Sequence, residues 1–406
     1  MAVGEYPFPS MPVLAGIKLA TASAGIKKPG RQDVVLIELA EGTRSAGVFT
    51  RNAFCAAPVT LCREYLKQAS PRYLVINSGN ANACTGERGR RDAIATSEAV
   101  AQLSGVQAAQ VLPFSTGVIG EPLPVNKIVN VLPQAHAGLS ETGWEAAARA
   151  IMTTDTRPKG YTASVEHDGK TIRVNGIAKG AGMIKPNMGT MLAYIAIDAD
   201  IAQPVLDDLC KEAANKSFNR ITIDGDTSTN DSCILMATGQ SGAEAITEAS
   251  GDLYEKVRGL IIGAHEYLAK SIVADGEGAT KFVTLAVSGG ASQDECLQVG
   301  YAVAHSPLIK TALFASDPNW GRIVAAVGYA GVPGLDANKV RIHLNDTLIV
   351  EEGGRAESYT EEQGQAVMDQ AEITIRIDLG RGQCAETLWT TDLSHEYVRI
   401  NADYRS

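Results

Sequence analysis

The sequence predicts an α+β fold in which layers of sheet are covered by helices. Short β-branched runs recur along the 406 residues, and several alternate apolar and polar side chains, the period-two pattern of a sheet with one buried face. Stretches with apolar residues at helical spacing lie between them. Because the strands come in runs, the pattern favours layered α+β over a parallel doubly wound sheet, and it leaves the strand order open.

Each predicted element depends on a local pattern of side chains. The predicted strands are residues 34–39, 73–76, 171–174, 220–223, 282–287 and 372–377, all rich in β-branched residues. The clearest predicted helices are residues 90–103, 143–152, 204–216 and 253–272. The glycine-rich stretch 180–189, which contains Pro186, is predicted to be an exposed linker.

Composition and charge exclude several classes of protein. Apolar residues at 45% and charged residues at 20% are typical of a globular protein. A formal net charge of −10 argues against a nucleic-acid or membrane partner. No apolar run approaches the roughly 18–20 residues of a membrane span, and the first residues lack a signal-peptide pattern. Seven widely spaced cysteines without a Cys-x-x-Cys pair predict reduced thiols and a cytoplasmic location.

Thr190 has the most informative surroundings of any residue in the chain. The glycine-rich stretch ends at Gly189, and an apolar, strand-like run of residues 191–197 follows Thr190 directly. Glycine allows strained dihedrals, so the Thr190 hydroxyl could reach the Gly189 carbonyl and cut the peptide bond. The new α-amine of Thr190 could then act as the base for its own hydroxyl. On the Gly-Thr pair alone, a turn entering a sheet is the simpler interpretation.

Further motifs extend this context over nearly the whole chain. They are Asn77-Ser-Gly-Asn-Ala-Asn82, Phe114-Ser-Thr-Gly-Val-Ile-Gly-Glu-Pro-Leu-Pro124, Met152-Thr-Thr-Asp-Thr-Arg-Pro-Lys159, Lys179-Gly-Ala-Gly-Met183, Met188-Gly-Thr-Met-Leu192, Asp224-Gly-Asp-Thr-Ser-Thr-Asn-Asp-Ser232, Asp275-Gly-Glu-Gly-Ala-Thr-Lys281, Asp317-Pro-Asn-Trp-Gly-Arg322 and Asn401-Ala-Asp-Tyr-Arg-Ser406. In this order they resemble the glutamate N-acetyltransferases of arginine biosynthesis, which are also called ornithine acetyltransferases. By this resemblance the chain is identified as a member of that family.

The resemblance implies a self-cleaving acyltransferase with a ping-pong mechanism. Acetyl would pass from N2-acetyl-L-ornithine to Thr190 and then to L-glutamate, without a cofactor. The residues leave open whether acetyl-CoA is a second donor. If it is, the enzyme would be bifunctional and would also have amino-acid N-acetyltransferase activity. The expected fold is a sandwich of sheets covered by helices, which resembles the N-terminal nucleophile hydrolases but differs from them in topology.

The resemblance also implies a division of the chain. Cleavage between Gly189 and Thr190 would leave an α-chain, residues 1–189, that carries the oxyanion hole. The β-chain, residues 190–406, would begin with the nucleophile and end at the substrate pocket. The two fragments are expected to stay together in an α2β2 heterotetramer.

The same resemblance assigns the site residues. The Thr116 hydroxyl and the Gly117 N–H match the family's oxyanion pair, which acyl transfer needs to stabilise the developing alkoxide. The expected substrate contacts are Thr153, Lys179, Thr190, Glu277, Asn401 and Ser406. Glu277 would pair with an ammonium, either the distal one of ornithine or the Thr190 amine. The sequence does not explain how one pocket accepts both ornithine and glutamate, whose distal groups have opposite charges.

The residues alone do not exclude two other functions. A related-fold aminopeptidase or amidohydrolase would let water deacylate the enzyme, although such hydrolases tend to use serine. A non-enzymatic binding protein on the same fold would remain uncut. The six histidines are scattered without metal-ligand spacing, so no metal site is expected.

Overall fold

Mixed β-sheets covered by α-helices make up the computed structural model, which describes residues 2–185 and 191–403. In chain order the strands are Ile17–Ala22 (β1), Val34–Leu39 (β2), Arg44–Phe49 (β3), Tyr73–Asn80 (β4), Val111–Val118 (β5), Lys159–His167 (β6), Lys170–Lys179 (β7), Leu192–Ile197 (β8), Ser232–Ala237 (β9), Phe282–Gly290 (β10), Arg341–Leu344 (β11), Thr347–Glu351 (β12), Gly354–Arg355 (β13), Glu372–Asp378 (β14) and Cys384–Thr391 (β15). The α-helices are Ala57–Tyr65 (α1), Gly86–Ser104 (α2), Val125–Ala137 (α3), Trp144–Ala150 (α4), Gln203–Lys216 (α5), Asp252–Ala274 (α6), Gln293–Ala304 (α7), Pro307–Phe314 (α8), Trp320–Tyr329 (α9), Glu361–Met368 (α10) and His395–Ala402 (α11). This arrangement confirms the predicted α+β class.

The described strands form sheets with mixed pairing. Sheet A has the order β1-β2-β4-β5, with β4 and β5 parallel. Sheet B has the order β3-β9-β8-β7-β6, in which β8 pairs parallel with β9 and antiparallel with β7. Sheet C has the order β13-β12-β11-β14-β10-β15. Sheet C therefore contains only strands that follow residue 280.

Sheets A and B pack face to face. Their shared core includes Leu74 and Phe114 of sheet A and Tyr194 and Met236 of sheet B. The rings of Phe114 and Tyr194 meet edge to face with centroids 5.3 Å apart, a favourable aromatic geometry. Helices α2 and α3 cover the outer face of sheet A, and α5 and α6 cover that of sheet B. The result is a helix–sheet–sheet–helix sandwich.

Strand β8 lies at the centre of this sandwich and is buried on both faces. Side chains alternate across a strand, so Tyr194 points into the core shared with sheet A while Ile195 and Ile197 point into the helix-covered core. Every residue of β8 is buried. This explains why the sequence of β8 is a continuous apolar run instead of an alternating one.

One local prediction is wrong and another holds only in part. Residues 220–223 do not form a strand: Phe218–Arg220 is a 3₁₀ turn, and Ile221 makes only an isolated bridge to Trp389. Ile221 and Ile223 are buried in the core beside sheet B, and the pairing of this segment with β15 does not extend beyond that single bridge. The segment predicted to be an exposed linker is exposed only in part where the structure describes it, at residues 180–185: Met183 is 37% exposed, but Ala181 and Ile184 are each 1% exposed.

Candidate active site

A cavity of about 220 Å³ lies where the ends of β5 and β7 approach helix α11. It is lined by every predicted site residue that the structure describes, namely Thr116, Gly117, Thr153, Lys179, Glu277 and Asn401. Predicted residues Gly189, Thr190 and Ser406 lie outside the described residues. The fold thus brings together side chains from distant parts of the sequence, and their individual roles stay predictions.

Thr116 and Gly117 lie at the end of β5, where its pairing with β4 becomes irregular. Asn80 of β4 lies opposite both Thr116 and Val118. Gly117 has a φ of +137°, and a Cβ added there would lie 2.3 Å from the carbonyl carbon of Gly79. Only glycine fits at this position, so main chain instead of a side chain lines the cavity here.

Lys179 is a buried cation at the end of β7. Its Nζ donates to Thr153 Oγ1 at 2.9 Å and, over a longer distance of 3.4 Å, to Thr116 Oγ1. Burial lowers the pKa of the Lys179 ammonium, while the carboxylate of Asp155 acts in the opposite direction. Because both threonine oxygens accept from a cation, both hydroxyl protons can be donated to a group in the cavity.

A buried ionic network lies behind the cavity wall. Asp155 accepts the backbone N–H of Thr153 at 3.0 Å and that of Gly180 at 2.7 Å. Lys159 Nζ donates to Asp155 Oδ1 at 2.7 Å and to Asp275 Oδ2 at 2.6 Å, and all three side chains are fully buried. Burial alone would raise the pKa of Asp155, but the charge of Lys159 helps to hold it well below its usual range. The network fixes Thr153 relative to the chain that follows β7.

Glu277 and Asn401 form the opposite side of the cavity. The Glu277 N–H donates to the carbonyl of Ala181 at 2.8 Å, and Asn401 Nδ2 donates to Glu277 Oε2 at 2.7 Å. A Cβ at Gly182 would lie 2.5 Å from Glu277 Cδ, so glycine lets the carboxylate pack directly on the main chain. Helix α11 is thereby attached to the segment that follows β7.

Met191, the residue that follows Thr190 in the sequence, is held by a buried carboxyl group. Its N–H donates to Asp231 Oδ1 at 2.8 Å, and burial raises the pKa of Asp231 well above its usual range. The neighbouring Asn230 lines the cavity, and its Nδ2 donates to the carbonyls of Ala81 at 2.6 Å and Ser115 at 2.9 Å. Residues 230 and 231 therefore tie the start of β8 to sheet A.

Sequence reasoning missed five of these polar residues: Asp155, Lys159, Asn230, Asp231 and Asp275. Each lies inside one of the motifs that carry the family resemblance, at 152–159, 224–232 or 275–281. The available signal was that these polar residues lie in a family motif although no role had been assigned to them.

Metal-binding clusters and membrane-spanning helices are both absent from the described ranges. Within residues 2–185 and 191–403, no group of three or more His, Cys, Asp or Glu side chains could hold a metal ion. In the same ranges no helix is long and apolar enough to span a membrane. All seven cysteines are free thiols.

The family model and the curated relatives that match this chain indicate one family. A family model described as the ArgJ family matches residues 18–406. The chain is 62% identical to the "Arginine biosynthesis bifunctional protein ArgJ" of Pseudomonas syringae pv. tomato, over 100% of both chains. The protein of the same name from Pseudomonas fluorescens is 61% identical, again over 100% of both chains. A crystal structure of the Bacillus halodurans protein of that name is 35% identical and covers 50% of this chain and 95% of its own, with a TM-score of 0.48.

Proposed function

Because the chain belongs to the ArgJ family, we propose that it is a self-cleaving acetyltransferase of arginine biosynthesis. It moves acetyl from N2-acetyl-L-ornithine to L-glutamate through an acetyl group on Thr190, and acetyl-CoA serves as a second donor. The observation that carries this proposal is the single cavity that collects Thr116, Gly117, Thr153, Lys179, Glu277 and Asn401.

Self-cleavage comes first in the proposed mechanism. The Thr190 hydroxyl attacks the Gly189 carbonyl, the C–N bond breaks, and the main chain passes from nitrogen to oxygen as an ester. Water then hydrolyses the ester, which frees the Gly189 carboxylate and the Thr190 amine. The Thr116 hydroxyl and the Gly117 N–H stabilise the oxyanion that forms at each attack, the effect expected of donors fixed before the reaction.

Acetyl transfer then uses the same groups. The Thr190 amine takes the proton from the Thr190 hydroxyl, which attacks the acetyl carbonyl of acetylornithine. The C–N bond breaks and ornithine leaves with that proton on its α-nitrogen. The α-amine of glutamate attacks the acetyl ester in turn, and Thr190 regains its hydroxyl proton.

Charge in the cavity supports the proposed substrate contacts. Lys179 is a buried cation with Thr153 beside it, suited to the α-carboxylate that both substrates carry. Glu277 provides a carboxylate of opposite sign on the other side of the cavity, suited to the distal ammonium of ornithine or to the Thr190 amine. Asn401 Nδ2 donates to that carboxylate, so helix α11 belongs to the proposed binding site.

The pairing of β8 supports the proposal that the fragments stay associated after cleavage. The α-chain, residues 1–189, would contribute β7, and the β-chain, residues 190–406, would contribute β8 and β9 to the same sheet. From Lys179↔Leu192 to Val174↔Ile197, β7 and β8 are paired in register. Separation would break this ladder inside a buried core. We further propose an α2β2 assembly and a cytoplasmic location.

Intact-mass analysis of the purified protein, followed by a kinetic assay, tests the function. We expect two fragments, with the second beginning Thr-Met-Leu, and a Thr190→Ala variant that stays uncut and inactive. Initial rates with acetylornithine and glutamate should give the parallel lines of a ping-pong mechanism. A cut at another bond contradicts the mechanism, acetate release without glutamate at the rate of transfer indicates a hydrolase, and an uncut wild-type chain indicates a binding protein.

A further inference from the structure

Two carboxyl groups hold the main chain on either side of the predicted cleavage bond. On the upstream side, Asp224 accepts the backbone N–H of Met183 at 2.5 Å and that of Ile184 at 3.0 Å. On the downstream side, Asp231 accepts the backbone N–H of Met191 at 2.8 Å. Side chains therefore fix the chain both before and after this bond.

Both acids belong to one stretch, residues 224–231, which we call the holding segment and which leads directly into β9. Ile184 and Asp224 are as far apart in the sequence as Leu192 and Ser232, the first pair of the parallel ladder of β8 and β9. The alignment of these two strands is thus repeated, upstream of the cleavage bond, by a side-chain contact. The holding segment is therefore placed to set the path of the chain that is cut.

Asp231 is buried where a carboxyl group lowers stability. It is 0% exposed, and within the part of the chain that the structure describes its Oδ2 has no hydrogen-bond partner. Burial raises the pKa of the Asp231 carboxyl well above its usual range, against the opposing effects of the Met191 N–H and the Lys179 charge. A buried polar oxygen without a partner is destabilising. Stability alone therefore does not explain a carboxyl group here, whereas the need to hold Met191 does.

Asp224 connects the upstream stretch with helix α11, which contributes to the cavity. Tyr397 Oη donates to Asp224 Oδ2 at 3.2 Å, and the Asp226 N–H donates to Asp224 Oδ1 at 3.1 Å. The carbonyl of Ile184 in turn accepts the N–H of Ile223 at 2.9 Å. Residue 184 is therefore held through both its N–H and its carbonyl, and the same carboxyl group ties it to the substrate side of the site.

We propose that Asp224 and Asp231 are positioning residues for self-cleavage, and that they hold the chain on both sides of the bond against the oxyanion donors. This role rests on the proposed function, because it acts on the same bond. The acids exchange no atoms with the chain: the Thr190 oxygen bonds to the Gly189 carbonyl carbon, the C–N bond breaks, and the hydroxyl proton passes to the nitrogen. They supply only geometry, and a displacement of about 1 Å can lower a rate about a hundredfold.

The two acids differ in the reactions that need them. Asp231 holds the residue next to the nucleophile, in cleavage and in acetyl transfer alike. Asp224 holds a stretch that belongs to the α-chain once the bond is cut. Loss of Asp224 should therefore slow cleavage more than it slows acetyl transfer by chains that have been cut. Acids that only stabilised the fold would show no such difference.

Pulse-labelled cell-free synthesis of the full chain measures the rate of cleavage, because uncut and cut chains separate on a denaturing gel. Asp231→Val removes the acceptor of the Met191 N–H, and we expect cleavage about a hundredfold slower than in wild type. Asp231→Asn keeps an amide oxygen for that N–H, and burial already favours the neutral acid. The asparagine variant should therefore recover most of the lost rate.

Asp224→Ala tests the upstream contact with a change at a half-buried position. It removes the acceptor of two backbone N–H groups, so cleavage should slow about tenfold to a hundredfold. In the chains that are cut, kcat for acetyl transfer should stay close to that of wild type. Asp226→Ala, at an exposed acid of the same segment, is the matched control and should leave both rates unchanged.

Urea midpoints of the purified variants separate positioning from stability. If Asp231→Val does not fold, Asp224→Ala still provides the test. Folded Asp231→Val or Asp224→Ala that cleaves at the wild-type rate would overturn the inference. So would an Asp231→Asn variant that recovers nothing, an equal loss in Asp226→Ala, or a kcat of cut Asp224→Ala that falls as far as its cleavage rate. A wild-type chain that stays uncut would instead contradict the proposed function itself.

Discussion

Removing the ammonium of Lys159 should destabilise the whole protein. The side chain is fully buried, and its Nζ lies 2.7 Å from Asp155 Oδ1 and 2.6 Å from Asp275 Oδ2. Lys159→Met keeps much of the side-chain volume but leaves two buried carboxylates without their cation. Breaking a buried ion pair by removing one partner costs about 3–5 kcal/mol in the free energy of unfolding. We expect this range and no more, because Asp155 keeps the N–H of Gly180 and Asp275 keeps that of Thr156.

Urea unfolding followed by tryptophan fluorescence measures this change. With an unchanged slope, the shift of the midpoint gives the difference in the free energy of unfolding. Arg149→Met is the matched control, because Arg149 pairs with Glu145 at 2.7 Å while both side chains are more than half exposed. That variant should cost less than about 1 kcal/mol. If Lys159→Met is as mild as the control, the buried network does not hold this part of the fold together.

A triple variant separates the charge from the packing. Asp155→Asn and Asp275→Asn, added to Lys159→Met, remove the two carboxylates that the single change leaves unpaired. Replacing a whole buried ionic group by neutral side chains is often close to neutral, so the triple variant should recover much of the lost stability. A triple variant no more stable than Lys159→Met would mean that the loss comes from packing.

Three further predictions concern the cavity. Thr116→Ala should slow acetyl transfer by roughly two to three powers of ten, and some activity should remain because the Gly117 N–H still stabilises the oxyanion. A wild-type kcat in the cleaved variant would exclude Thr116 from the mechanism. The pKa of the Asp155 carboxyl is lowered in the folded state, so the ionised carboxylate stabilises the fold above the ordinary carboxyl pKa of about 3.9 and this stabilisation is lost as the pH falls. The difference in urea midpoint between wild type and Asp155→Asn should therefore shrink below that pH. A difference that grows there would contradict the prediction. Asn401→Ala removes the hydrogen-bond donor to Glu277 Oε2. Steady-state kinetics should therefore show that the KM for acetylornithine rises about threefold to tenfold while kcat changes little. An unchanged KM would exclude Asn401 from the binding site.

The local elements could be predicted from the sequence because their signals are local. Periodic apolar residues located helices α2, α5 and α6, and the continuous apolar run after Thr190 located β8. The pairing of β8 could not be predicted, since it depends on residues 174–179 and 232–237, which meet it only in the folded sheet. The same dependence explains the error at residues 220–223, where strand propensity is present but pairing with β15 stops at a single bridge.

The sequence predicted which residues form the candidate site but not the buried contacts that hold them in place. The family resemblance pointed to Thr116, Lys179 and Glu277, and the fold places all three around one cavity. A lysine is ordinarily expected at the surface, so the burial of Lys159 between two carboxylates has no local signal in the sequence. Asp275 begins the motif at 275–281, but nothing in that motif indicates its contact with Lys159, which forms only in the folded chain.

A single set of donors can serve both proposed reactions because the two attacks share one geometry. In each, the Thr190 oxygen adds to a carbonyl carbon, and only the source of that carbonyl differs: Gly189 in cleavage, the acetyl group in transfer. Gly117 cannot move far from β4, because even a Cβ on it would strike the main chain of Gly79 at 2.3 Å. Lys179 donates to the oxygen of Thr116 and so leaves that hydroxyl proton for the oxyanion. Self-cleavage on this mechanism therefore needs no oxyanion donors of its own, and a variant that loses an oxyanion donor should lose rate in both reactions together.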